Sequence, residues 1–218
     1  MPVRDAELAN QLYRIGRAPD PLAWPPANSL GRYNDPAGSF RVLYATLERR
    51  AAFLETLQVY RPALADLARA GVLLETTEGD DPSLPLGVIP ASFFSRLIAM
   101  FHPAPHQRWL DLRSPETHAV LRIELASSLT AAGYRGAFNF GELVGPDYTI
   151  TQHLARWAFE HDFGGLVYPS AHDSSLTCWA VFDRAPIHAL ADPQPIDPRD
   201  RDLVTAANLF GLQIPDPI

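Results

Sequence analysis

The chain has 218 residues, of which 47% are hydrophobic and 20% charged, with a formal net charge of -7. That composition is globular, carries no bias towards disorder, and comes with enough length to bury a sizeable core in one domain. The acidic balance argues against a broad face that grips a nucleic-acid backbone, while leaving room for a small basic pocket.

Cys178 is the single cysteine, which excludes an intrachain disulfide framework. No apolar run approaches the roughly 20 residues needed to span a bilayer, and the first residues, MPVRDAELANQ, lack the apolar core of a signal peptide. The expectation is a cytoplasmic protein with neither nucleic acid nor membrane as a partner.

Residues 12–16 (LYRIG) form a short apolar run centred on Arg14, and Pro19, Pro21, Pro25 and Pro26 follow it. This predicts a strand leading into a long loop. Asn34-Asp35-Pro36-Ala37-Gly38 has the chemistry of a tight turn, and residues 40–46 read as the next strand. Leu47, Ala51, Leu54 and Leu57 then recur at helical spacing. At about 100° per residue, Glu55 lies about 40° beyond Ala51, on the edge of that apolar stripe and away from Arg49 and Arg50. Residues 60–70 suggest further helix, 71–75 a short strand and 76–83 a polar surface loop.

A helix is expected over residues 90–100, because Phe93, Phe94, Leu97, Ile98 and Phe101 make one apolar side. His102 and His106 flank two prolines, which argues against the helical pairing that would place both on one metal. Ser114-Pro115-Glu116 opens a helix, with Ser as N-cap and Pro in the first position. Leu121, Leu125, Ser128 and Ala132 continue it to Gly133. Residues 134–148, rich in Gly and aromatics, read as loop with one short strand, and 151–161 as a helix stopped by Gly164-Gly165. Residues 166–170 are a strand that ends at Pro169 and releases Ser170 into a loop. Residues 176–182 return as a strand in which Cys178 is a packing residue. A Pro-punctuated segment, 192–198, leads to a last helix over 199–210 whose Leu203, Ala207 and Phe210 dock on the core.

Ser170, His172 and Asp173 do not make a hydrolase triad. Triad members converge from separate elements, and no G-x-S-x-G elbow surrounds this serine. Neither G-x-G-x-x-G nor a P-loop is present, so a nucleotide bound here does not sit on a Rossmann fold.

Leu12-Tyr13-Arg14, the stretch from Gly31-Arg32-Tyr33-Asn34 to Leu57, and Tyr168-Pro169-Ser170 occur in an order that resembles the RES-domain family, over about residues 12–183. In that family an Arg on a Gly-Arg-aromatic-Asn turn, a Tyr closing the next strand, a Glu three helical turns on and a distant Ser line a pocket for NAD. Here those positions fall on Arg32, Tyr44, Glu55 and Ser170, with Arg14 as a second basic residue. The resemblance implies a mixed α/β fold of the ADP-ribosyltransferase type over residues 12–190, followed by a Pro-rich linker and docking helix over 191–218. It also implies NAD as substrate with no cofactor required, a toxin of a toxin-antitoxin pair, and a helical antitoxin as partner. One stretch departs from the pattern: the strand after Ser170 ends Val181-Phe182-Asp183, where the better known toxin branch has an Asn-Pro step.

Each of these residues has a plainer alternative. Arg14 is a surface strand cation or a guanidinium fork on a diphosphate. Arg32 is a loop cation paired with Asp35, or lies on a phosphate or ribose hydroxyl. Tyr44 is a core aromatic, or stacks on nicotinamide or bonds Glu55. Glu55 is a solvated helix residue or the catalytic carboxylate, and Ser170 orients Glu55 or the ribose. The reaction they would serve is cleavage of the nicotinamide-ribose bond. Nicotinamide leaves as a neutral molecule, so no general acid is needed, and a carboxylate stabilises the oxocarbenium-like sugar. The expected activity is NAD glycohydrolysis. ADP-ribosyl transfer to protein or phosphate is the alternative, and a non-catalytic nucleotide- or protein-binding module is the alternative of another class.

Overall fold

The computed structural model describes residues 2–63, 87–136 and 138–215. The first two predicted strands form as β1 (Leu12–Arg17) and β2 (Val42–Thr46), and β2 runs almost directly into α1 (Arg49–Leu57). After β3 (Gly87–Val88), β4 (Arg96–Pro103) and β5 (Arg108–Asp111) come four helices, α2 (Pro115–Glu124), α3 (Ala126–Ala131), α4 (Phe140–Val144) and α5 (Thr149–Glu160). The chain then returns through β6 (Phe163–Pro169), β7 (Thr177–Phe182), β8 (Ile187–Ala189) and β9 (Gln194–Pro195), and closes with α6 (Arg201–Phe210) and β10 (Leu212–Gln213).

The main sheet has the order β5-β6-β7-β2-β1-β4-β8, with β9 also pairing to β4. The β5/β6 pair is parallel and the other pairs are antiparallel, giving the mixed sheet that the family resemblance implied. β1 and β2 share a single register pair, Tyr13 with Thr46, so the sheet parts at its centre.

Alternation along the strands divides the core between two faces. On β7, Cys178, Ala180 and Phe182 join one cluster with the α2–α5 side, while Trp179 and Val181 join another that includes Leu12 and Trp109. The strand is therefore apolar at every position, because both faces are covered. A third cluster joins Ala51, Phe53, Leu54 and Leu57 of α1 to Leu203, Ala206, Ala207 and Phe210 of α6. Arg49 strengthens this contact through Asp200, the N-cap of α6.

Several expectations are corrected. In place of a helix over 90–100, a 3-10 turn (Ala91–Ser95) leads into β4. β4 lies between β1 and β8, and the apolar residues that gave helical spacing are divided between two elements, Phe93 and Phe94 on the turn and Leu97, Ile98 and Phe101 on β4. The 134–148 segment contains α4 and no strand among its described residues; Asn139 Oδ1 caps α4 on Gly141 N at 2.8 Å. Gly164 and Gly165 lie inside β6 and do not stop α5. A Cβ on Gly165 would stand 2.2 Å from the Ala180 carbonyl oxygen, so β6 and β7 approach too closely there for any side chain. The helix opened by Ser114 breaks at Leu125 into α2 and α3. Leu47 precedes α1 and is 40% exposed, so it is not part of the buried stripe. The expectations for residues 64–86 fall outside the described residues. Among the described residues no helix is long and apolar enough to cross a membrane.

Candidate functional site

Where β1 and β2 part, a cavity of about 270 Å³ opens, lined by Arg14 and Ile15 of β1, Tyr44 and Thr46 of β2, and Ala52 and Glu55 of α1. Its other side is lined by Arg32, by Tyr148, and by Leu143 and Val144 of α4. The parting has a chemical cause. Arg14 donates from Nη1 to the Tyr44 carbonyl oxygen and from Nε to the Pro21 carbonyl oxygen, both at 2.8 Å, so a side chain occupies the place of a strand ladder. Burial, with Arg96 nearby, lowers the Arg14 pKa to about 10, which still leaves it cationic at neutral pH.

Glu55 reaches this cavity from the stripe edge where its helical angle places it. Its Oε1 accepts from Ser170 Oγ at 2.7 Å and from the Cys178 thiol at 3.4 Å. Among the described residues no donor reaches Oε2. Ser170 is 3% exposed, at the end of β6, so its hydroxyl is fixed by backbone position. Cys178, read from the sequence as packing, is also a neighbour of the carboxylate. Burial pushes its thiol pKa up and the Glu55 charge adds to this, so it remains a protonated donor and not a nucleophile.

The Gly31-Arg32-Tyr33-Asn34-Asp35 turn has one task for each residue. Tyr33 is fully buried, its ring 4.5 Å from that of Tyr168. Asn34 Oδ1 accepts from the Tyr44 hydroxyl at 2.7 Å, and that hydroxyl accepts from Tyr33 N at 2.8 Å. Tyr44 therefore does not bond Glu55. Burial raises its pKa, so its hydroxyl stays protonated and holds the turn on β2. Asp35 does not pair with Arg32; it is buried against Arg156 of α5 and accepts from Ser39 N at 2.7 Å. Arg32 instead donates from Nη1 to the Gly145 carbonyl oxygen at 2.6 Å, with its guanidinium 4.8 Å from the centre of the Tyr148 ring. Two of its five N–H groups are directed to the Val144 and Gly145 carbonyls at the end of α4, and Arg32 lines the cavity.

Gly31 is glycine because of this network. A Cβ there would lie 2.2 Å from Asn34 Oδ1 and 2.7 Å from the Tyr44 hydroxyl. Gly31→Ala is expected to separate Asn34 from Tyr44 and to cost about 1–3 kcal/mol as an overpacking change. A melting temperature within 1 °C of the parent would contradict that reading.

The family model for the RES domain matches residues 11–205. The chain belongs to the RES-domain family. The matched residues include both strands at the parting, α1, the Gly31–Asp35 turn and Ser170, and the match ends within α6. Among solved structures, the chain is similar to one in the M. tuberculosis MbcT-MbcA toxin-antitoxin complex, with 15% identity, 84% of each chain covered and a TM-score of 0.46. No curated protein matches the sequence.

The five residues singled out from the sequence of this RES domain meet at one place: Arg14, Arg32, Tyr44 and Glu55 line the cavity, and Ser170 holds Glu55. Sequence reasoning missed Val144, Tyr148 and Gln58. The first two sit where loop and strand were expected, and Gln58 follows the last residue of α1. Asn34 was read as a turn former within the family motif, and its amide oxygen in addition accepts from the Tyr44 hydroxyl.

Proposed function

We propose that this RES-domain protein cleaves the nicotinamide-ribose bond of NAD, with water as acceptor and no cofactor. The observation that carries the reading is Glu55: one carboxylate oxygen is fixed by Ser170 and Cys178, in the same cavity as two guanidinium groups. A cavity of about 270 Å³ is near the small end of small-molecule sites, roughly 300–1,000 Å³, and accepts the nicotinamide riboside half while the rest of the dinucleotide follows the open mouth. Glu55 Oε2 meets the ribose hydroxyls and stabilises positive charge as the neutral nicotinamide departs. Arg32, with Arg14 behind it, offsets the diphosphate charge. Tyr44 stays protonated and shapes the pocket without moving a proton.

The test is incubation of purified protein with NAD, following nicotinamide and ADP-ribose. Equal release of both supports hydrolysis. Nicotinamide without free ADP-ribose, in the presence of phosphate or protein, points to transfer, and intact NAD at high protein concentration leaves a binding module. The antitoxin that the family resemblance implies is tested separately, by whether a co-expressed helical protein suppresses NAD loss.

Arg32→Ala is expected to weaken NAD binding tenfold or more, because a charge-assisted contact is worth roughly 1.5–3 kcal/mol. The fold should be retained, since Arg32 holds only two carbonyls at the end of α4. Arg14→Ala is different. It removes the side chain that bridges the parted strands, so it should lower the melting temperature as well as the affinity. Isothermal titration with NAD and thermal melts of both variants separate the two; unchanged affinity in both removes the diphosphate from this cavity.

A further inference from the structure

His172 stands in the loop after Ser170 and has no part in the chemistry above, yet two routes tie it to Glu55. Its backbone N–H donates to Ser170 Oγ at 3.1 Å, and that hydroxyl donates to Glu55 Oε1 at 2.7 Å. With its proton directed at the carboxylate, Ser170 has only lone pairs left, and the His172 N–H occupies one of them. The second route runs through Gln58, whose amide nitrogen donates to the Glu55 backbone oxygen at 2.8 Å. That bond turns Gln58 Oε1 to His172 Nε2 at 3.1 Å. An amide oxygen only accepts, so the neutral imidazole carries its proton on Nε2, and Nδ1 is the basic position. Phe210 of α6 meets the ring edge-on at 5.2 Å and fixes its plane.

Charged groups face this imidazole from three elements: Glu55 on α1, Arg61 just beyond the 3-10 turn Gln58–Tyr60, and Arg32 on the Gly31–Asp35 turn. Asp173, next in sequence, is turned to Arg50 at 3.1 Å and to Ser175. Burial lowers the His172 pKa below the usual value; Glu55 opposes this, and Arg61 and Arg32 reinforce it. The ring is neutral at pH 7 and becomes a cation on acidification.

We propose that His172 is a positioning residue for the Glu55–Ser170 pair: its backbone N–H and its Nε2–H hold the pair in working geometry, and a second proton on Nδ1 sets a positive charge against the work of the carboxylate. An imidazolium beside Glu55 has the same sign as the sugar cation that Glu55 stabilises, so the two compete for one carboxylate. The kinetic consequence rests on the NAD-cleaving reading of the cavity, whereas the link between His172 and Glu55 does not.

Two measurements keep these apart. In an NMR titration of the ligand-free protein, His172 should titrate below the ordinary histidine value of about 6.5. Glu55→Gln should move it lower still, because the substitution removes the anion that favours the charged ring. In NAD cleavage, kcat of the parent should fall on acidification through the value found by NMR. His172→Gln cannot titrate, and it loses the ring that packs against Phe210, so its amide does not hold Gln58 in one fixed place. It should lower kcat several-fold at pH 8 with KM nearly unchanged, and it should lack that acid limb. A His172 that titrates at the same pH in the parent and in Glu55→Gln overturns the proposal, as does an acid limb unchanged in His172→Gln. If NAD is not cleaved at any pH, the functional reading fails by itself, and the NMR comparison still decides the link.

Discussion

Glu55→Gln should reduce kcat for NAD cleavage by about a hundredfold or more, with KM changed little. Removing a single preorganised electrostatic group from other active sites has effects of that size. In the proposed reaction the carboxylate acts on charge that is present mainly in the transition state, so its loss should appear in kcat and not in substrate binding. The fold should tolerate the change. Glutamine keeps an oxygen that accepts from Ser170 Oγ and the Cys178 thiol, the two groups that hold Glu55 Oε1 at 2.7 and 3.4 Å. The melting temperature should therefore stay within a few degrees. A folded Glu55→Gln protein that releases nicotinamide at near the parent rate would sink the mechanism and leave Glu55 as an ordinary helix residue.

Arg156→Ala should be the most destabilising of the single changes considered. The Asp35 side chain is fully buried while that of Arg156 is 41% exposed, so removing the cation leaves an anion in the interior. Breaking a buried pair in this way costs about 3–5 kcal/mol; the exposure of Arg156 reduces the expected loss to about 2–3 kcal/mol. For a chain of this size that is a drop of roughly 5–10 °C in melting temperature. The pH dependence follows from the carboxyl group. Burial works to raise the Asp35 pKa, but hydrogen bonds from Ser39 and Ala37 and the charge of Arg156 outweigh it and hold the pKa below the usual value. The stabilisation is therefore present above the unfolded carboxylate value of about 3.9 and is lost as pH falls through the lower folded value. Without Arg156 the folded value rises, so acid unfolding should begin at a higher pH. Melts of parent and variant from pH 3 to 7 check this; coincident curves would mean that Ser39 and Ala37 hold the turn alone. NAD cleavage should weaken in parallel, because the same turn presents Arg32.

The sequence was most readable where one residue type has one local task. Ser114 as an N-cap, the Glu55 stripe edge, and the strand that stops at Pro169 are decided within a few residues of chain. It was least readable where a neighbour distant in sequence supplies the reason. β4 is a strand because β1 and β8 flank it, and Gly165 is a strand glycine because Ala180 crowds it from another strand, and neither neighbour is visible in the local sequence. The site followed the same division. Its five residues were marked by their order along the chain, and the contact of Ser170 with Glu55, 115 positions apart, was among the expectations. The partner of Asp35 was not marked: it is Arg156, 121 positions away. A local reading gave Asp35 the nearest cation, Arg32, and only the packing of α5 on the turn corrects this.

The clasp of α6 on α1 also orders events in time. Arg49 is held by Asp200 and Asp202, and the apolar stripe of the Glu55 helix is covered by Leu203, Ala207 and Phe210. A ribosome adds about 5–20 residues per second, so α6 emerges on the order of ten seconds after α1. During that interval the Glu55 helix lacks its cover, and His172 arrives before Phe210, the residue of α6 that its ring packs against. If the cavity cleaves NAD as proposed, a nascent chain should therefore be inert towards NAD until α6 has left the ribosome and docked on α1.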